Sequence, residues 1–146
     1  VFDTPHGGTA SVIRGREAGG VARDGAPIRP IHRSHAMTFI IAQNQTGPLP
    51  LNIPFTAPIS GDVTIAFSGS CWSSTANNPG GVEVLLDGQS LGKAQLFFNN
   101  PSLHQALPTQ IFAANLGEGP HTITLRALSS TILTDRNDFF SLWIID

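Results

Sequence analysis

The sequence is short of charge, of cysteine and of tyrosine: 12% of its 146 residues are charged, one is Cys and none is Tyr. One thiol, Cys71, excludes a disulfide framework and a Cys-ligated zinc site, so stability must come from a buried core. A chain of this length buries enough surface to fold without such staples, and it fits one compact domain. No apolar run approaches the ~20 residues of a membrane span, and no charged-then-apolar signal pattern opens the chain; no membrane insertion is expected. Val1 implies that an initiator Met or a longer precursor has been removed. With a formal charge of −2 and a pI near 6.2 the chain offers no concentrated basic surface, so nucleic acid is not an expected partner.

Fifteen Gly and eleven Pro punctuate the chain, and the charge is unevenly placed. Five of the eight basic residues, Arg14, Arg16, Arg23, Arg29 and Arg33, fall in the first 35 positions, which leaves residues 36–146 at −4. That opening stretch lacks sustained apolar periodicity and reads as an extended arm over 1–36, with at most one short strand at Thr9–Ile13. Ordering such a segment costs about 1–2 kcal/mol per residue, which contacts with a partner must offset. Arginines on the arm and acidity on the body make a neighbouring copy a suitable acceptor.

From Met37 the pattern is one of short β runs and turns. Strands are expected at Thr38–Gln43, Leu49–Phe55, Val63–Phe67, Val82–Leu86, Leu91–Phe98, Leu107–Ala114, His121–Leu128 and Phe139–Ile145. Pro50 and Pro54 confine the second to a sheet edge. Asp87-Gly88 favours a type I′ hairpin turn, and FFSLWII, apolar on both faces, reads as a central or interface strand. No segment has a helical period. The reading is all-β: a two-sheet jelly-roll sandwich over 37–146 with an extended N-terminal arm.

Catalytic signatures are missing. The sequence contains no GxSxG elbow, no HExxH and no Lys-bearing phosphate loop, so no catalytic residue and no cofactor is assigned. His32 and His35 have an Arg between them and no acidic ligand nearby; they read as solvated or interface histidines. His104 and His121 suit hydrogen bonds to backbone carbonyls, with pH-sensitive assembly as the consequence if either meets a neighbouring subunit. Asp135, Asn137 and Asp138 are spaced like part of a calcium loop, but the Gly and distal Glu of a complete one are missing; a self-bonded turn explains them, and no metal is assigned. The 70–80 stretch, SCWSSTANNPG, is the best binding candidate: Trp72 offers a stacking face for a sugar, and Asn77 and Asn78 offer neutral donors and acceptors, with Asp135 and Asp138 from the TDRND loop completing a glycan site. A core or intersubunit role for Trp72 is the competing reading. Cys71 reads as a buried small residue.

PFTAPISGDVTIAFS at 54–68, VEVLLDGQSL at 82–91, LGEGPHTITLRAL at 116–128 and DRNDFFSLWIID at 135–146 together resemble the tumour necrosis factor-like jelly rolls, including complement-type heads and phage fibre tips. The resemblance covers residues 37–146 and lies in strand grammar. It implies a Phe-rich final strand at the centre of the inner sheet and a homo-oligomer, in the form of a trimer. Trimer contacts in that family are rich in Tyr; here Phe97, Phe98, Phe112, Phe139, Phe140 and Trp143 would have to supply the subunit interface. With its arm, the layout is most similar to phage capsid decoration proteins. The implied function is a non-enzymatic virion structural protein, at the virion surface, that contacts itself and neighbouring capsid or fibre proteins. The alternative is a carbohydrate-binding module or lectin-like receptor-binding tip, secreted or at a cell surface.

Overall fold

A computed structural model describes residues 37–145. The arm, its arginines Arg14, Arg16, Arg23, Arg29 and Arg33, the Thr9–Ile13 strand, and His32 and His35 lie outside the described residues. Within them there is no helix, hence none long and apolar enough to cross a membrane.

Ten strands form: β1 (Thr38–Thr46), β2 (Leu51–Ala57), β3 (Gly61–Ser73), β4 (Asn78–Leu86), β5 (Gln89–Phe98), β6 (Gln105–Ala106), β7 (Gln110–Leu116), β8 (Gly119–Ala127), β9 (Ile132–Leu133) and β10 (Phe139–Ile145). The eight long ones divide into two antiparallel sheets, β1-β10-β3-β7 and β2-β8-β4-β5. Counting only these eight in chain order, the sheets read 1-8-3-6 and 2-7-4-5. This alternation of consecutive strands between layers is the jelly roll.

The expected elements recur for the stated reasons. β2, with Pro50 just before it and Pro54 within it, pairs only with β8 and forms a sheet edge. β10 lies between β1 and β3, at the centre of its sheet. Asp87 and Gly88 both take positive φ, 48° and 83°, and join β4 to β5 as a tight hairpin. Alternation sends Val63, Ile65 and Phe67 of β3, Ile123 and Leu125 of β8, and Phe140, Leu142 and Ile144 of β10 into one core. Gly69 faces Phe140 across the β3–β10 ladder; a Cβ there would stand 2.5 Å from the ring, so only Gly lets the ring close over the strand.

Three expectations need correction. The strand expected at Leu107–Ala114 is broken, because Pro108 has no N–H to give the ladder: β6 pairs with Ser70 and Cys71, Leu107 N–H bonds the Gly69 carbonyl, and β7 begins only at Gln110. β3 runs on to Ser73, well past Phe67, since β6 and β9 supply partners from distant loops. Phe98, Phe112 and Phe140, expected at a subunit interface, are buried in the core of one chain and cannot face a neighbour. Phe97 and Phe139 beside them are half exposed, as strand parity requires, and Trp143 is half-buried on the outer face of β10.

Candidate functional site

The extension of β3 carries the site. Parity along this strand puts Cys71 and Ser73 inside and Ser70 and Trp72 on the outer face. Cys71 is wholly buried, and burial, reinforced by the charge of Asp138, pushes its thiol up to about 12; it stays a protonated small apolar residue, as expected. Trp72 is half-buried, opposite Leu133 of β9 in the ladder, and its ring centroid lies 6.0 Å from that of His104. Its indole Nε1 is buried and has no acceptor among the described residues. The competing expectation of a core tryptophan is therefore not met: the core position is Cys71, one residue earlier.

Asp138 organises this end of the sheet. It is completely buried, yet its carboxylate accepts three hydrogen bonds: from Ser70 Oγ at 2.8 Å, from His104 Nδ1 at 2.9 Å and from the Asp135 backbone N–H at 2.9 Å. A buried carboxylate without such partners would be prohibitively costly, so the three donors and the acid form one unit. Because a carboxylate only accepts, His104 must carry its proton on Nδ1, which turns Nε2 outward. Nε2 then lies 3.8 Å from Asp135 Oδ2. The other oxygen of Asp135 accepts from the Asn137 N–H at 2.7 Å, and Asp138 N–H bonds the Asp135 carbonyl, so TDRND is the self-bonded turn that its composition indicated.

The proposed glycan residues thus separate. Trp72 and Asp135 come together around His104. Asp138 is buried and cannot touch a ligand directly, which corrects its assignment as a glycan contact. Asn78 is committed elsewhere: its amide donates to Thr131 Oγ1 at 2.7 Å and Ser73 Oγ at 3.3 Å, tying the β3–β4 turn to the 129–131 turn. Asn77 is exposed with φ 53°, a turn conformation that Asn tolerates. His104 is the residue that sequence reasoning underrated, since it reaches Asp138 across 34 positions from a loop without a motif.

A second polar cluster stands on the β4–β5 turn. His121 Nδ1 bonds Asp87 Oδ2 at 2.6 Å and its Nε2 bonds the Gly117 carbonyl at 2.8 Å, while Asp87 Oδ1 accepts the Thr122 N–H. With an acceptor on each ring nitrogen, His121 is held as the cation; the hydrogen bond to Asp87 raises its pKa above 6.5 and lowers that of Asp87 below 3.8. An open depression of about 340 Å³ lies here, lined by Phe55, Asp87, Pro120 and His121 among others. Each polar side-chain atom of this dyad already has a partner in the dyad or the adjoining backbone, so the depression presents little to a ligand.

No protein-family model matches the chain, and no curated protein matches it. Solved structures with a similar strand layout include the CBM36-1 domain of a multidomain xylanase from the hindgut metagenome of Trinervitermes trinervoides (16% identity, TM-score 0.41, 75% of this chain and 96% of that one). Others are the globular domain of zebrafish complement 1qA protein (12%, 0.43, 76% and 94%) and the C-terminal domain of EclA, a sugar-binding protein (17%, 0.43, 87% and 89%). At these identities and scores they carry no inference about what this chain binds. None of the three is a virion protein.

Proposed function

We propose that the domain is a non-catalytic carbohydrate-binding module that reads its ligand at the outer face of the β3 extension. The observation that carries this reading is Trp72: a half-buried indole on the outer face, flanked by Leu133 and by His104, with Asp135 within reach of the same histidine. An aromatic face packs against the C–H face of a sugar ring, while the Asp135 carboxylate and His104 Nε2 take its hydroxyls. Asp138 contributes by holding His104 rigid, which lowers the entropy lost on binding. The test is retention on a panel of polysaccharides by affinity electrophoresis, comparing the wild type with Trp72→Ala. Retention of the wild type and its loss in the variant, with an unchanged circular dichroism spectrum, supports the reading; equal retention of both refutes it.

A second reading rests on a different observation. Ile40, Trp143, Ala66 and Ile111 are in register across β1, β10, β3 and β7, and they form one apolar row on the outer face. Ile111 is 68% exposed and Ile40 51%, with Phe139 and Ile145 also open on β10. Such a row favours self-association, a trimer in the form the strand grammar implies, and with it the setting of a virion surface component whose arm engages neighbouring capsid or fibre proteins. Light scattering on wild type and Ile111→Asp decides: an oligomer that falls to monomer supports it, and a wild-type monomer refutes it.

A further inference from the structure

We infer that His104, Asp135 and Asp138 build a site for a divalent transition cation of the zinc class, with His104 Nε2 and Asp135 Oδ2 as ligands and Asp138 as the residue that positions the histidine. The three side chains offer ligand atoms within 4.8 Å of one another. Sequence spacing pointed to no metal, because the histidine comes from a loop 34 positions before Asp138.

The buried Asp138 carboxyl accepts a hydrogen bond from His104 Nδ1–H, and a metal-binding imidazole is oriented in the same way, its second nitrogen donating to a carboxylate. The remaining lone pair, on Nε2, faces another acceptor, Asp135 Oδ2, at 3.8 Å. At that separation the two atoms make no direct hydrogen bond, and a cation held between them satisfies both. For ligands about 2.1 Å from a tetrahedral metal the N···O separation would be ~3.4 Å, so a few tenths of an ångström of closure completes the pair. Asp135 is also aimed: its Oδ1 is held by the Asn137 N–H, which leaves Oδ2 turned to the histidine.

Side-chain exposures of 35% for His104 and 44% for Asp135 give the ion a route in and leave its other coordination positions open to solvent or to an oxygen ligand. An imidazole nitrogen with one carboxylate oxygen suits Zn²⁺, Ni²⁺ or Cu²⁺; Ca²⁺, which asks for six to eight oxygens, finds too few here. The ion would occupy the same His104 and Asp135 atoms that the proposed sugar site uses, and because its test contains no sugar, its failure is distinguishable from the failure of that reading.

The experiment is calorimetric titration of the full chain with Zn²⁺ and, separately, with Ca²⁺. Because His6, His32 and His35 could also take up zinc, the decisive comparison is with Asp135→Asn and His104→Ala; the second removes a donor from buried Asp138, so its fold is checked by circular dichroism and Asp135→Asn carries the comparison if it fails to fold. The expected result is one zinc-binding event that each variant weakens at least tenfold, with no heat from Ca²⁺. Absence of zinc binding, zinc binding equal in wild type and both variants, or Ca²⁺ binding at these residues in place of Zn²⁺ would each overturn the inference.

Discussion

The outer faces of the two sheets follow opposite rules. On β2-β8-β4-β5 the polar groups satisfy one another: Arg126 donates through Nε and Nη2 to Glu83 Oε2, Ser90 donates to the other Glu83 oxygen, and Thr124 donates to Asn52 Oδ1. These hydrogen bonds, with that from Arg126 first, hold the Glu83 carboxyl below its usual value. On β1-β10-β3-β7 the same pleat brings Ile40, Trp143 and Ile111 to the surface in whole or in part, and the β3 extension adds the half-buried ring of Trp72. A face whose polar groups are already paired has little to offer a partner. The face that leaves apolar area in reach of solvent is where a partner gains most, and both readings of function lead there.

The sharpest way to break this contrast is to compare neighbours on one strand. Phe140→Ala, on the core side of β10, should cost about 3–5 kcal/mol in urea unfolding, whereas Phe139→Ala, half exposed on the other side, should stay within about 1 kcal/mol. Equal costs would mean that the assigned faces of β10 are wrong. Next in size is Asp138→Ala, which strips the acceptor from Ser70, His104 and the Asp135 N–H; a loss of about 2–3 kcal/mol is expected by the same measurement. On the closed face, Arg126→Ala should cost about 1 kcal/mol or less, because the arginine is 58% exposed and screened even though its partner is not.

The smallest effect is pH dependence at the β4–β5 turn. His121 is raised by Asp87, so its contribution is complete below pH 6.5 and fades as pH climbs through the raised value. Asp87 is lowered, so its contribution is complete above pH 3.8 and fades as pH falls through the depressed value. Thermal unfolding across pH 4–9 should show this clamp strongest between about pH 4 and 6.5, and His121→Gln should flatten the alkaline side of the profile. An unchanged profile in that variant would remove the dyad as a source of pH sensitivity.

Most of the fold was legible because strand parity and turn chemistry are local. Val63, Ile65 and Phe67 announce a half-buried strand by alternation alone, and Asp87-Gly88 announces its hairpin by the positive φ that both residues tolerate. The site was legible only in part. Trp72 and Asp135 were visible as residue types suited to binding, but the element that unites them, His104, is placed by pairing of β6 with the end of β3, a long-range contact with no local signature. Asp138 carries the same lesson in reverse: its composition signalled a polar turn, and only the packing of β3, β10 and the 99–104 loop shows that its carboxylate is buried. Phe97 and Phe98, adjacent and identical, divide between surface and core by parity, which a resemblance to trimeric proteins does not resolve.

The chain has two tryptophans, one on each candidate surface of the open face, and their indole N–H resonances report separately. The most direct measurement is a ¹H–¹⁵N correlation titration of the protein with the polysaccharide fragment that retains it best. The account predicts that the Trp72 indole resonance moves on addition of the sugar while that of Trp143 stays in place. Movement of Trp143 with Trp72 unmoved, or of neither, would contradict the placement of ligand binding at the β3 extension.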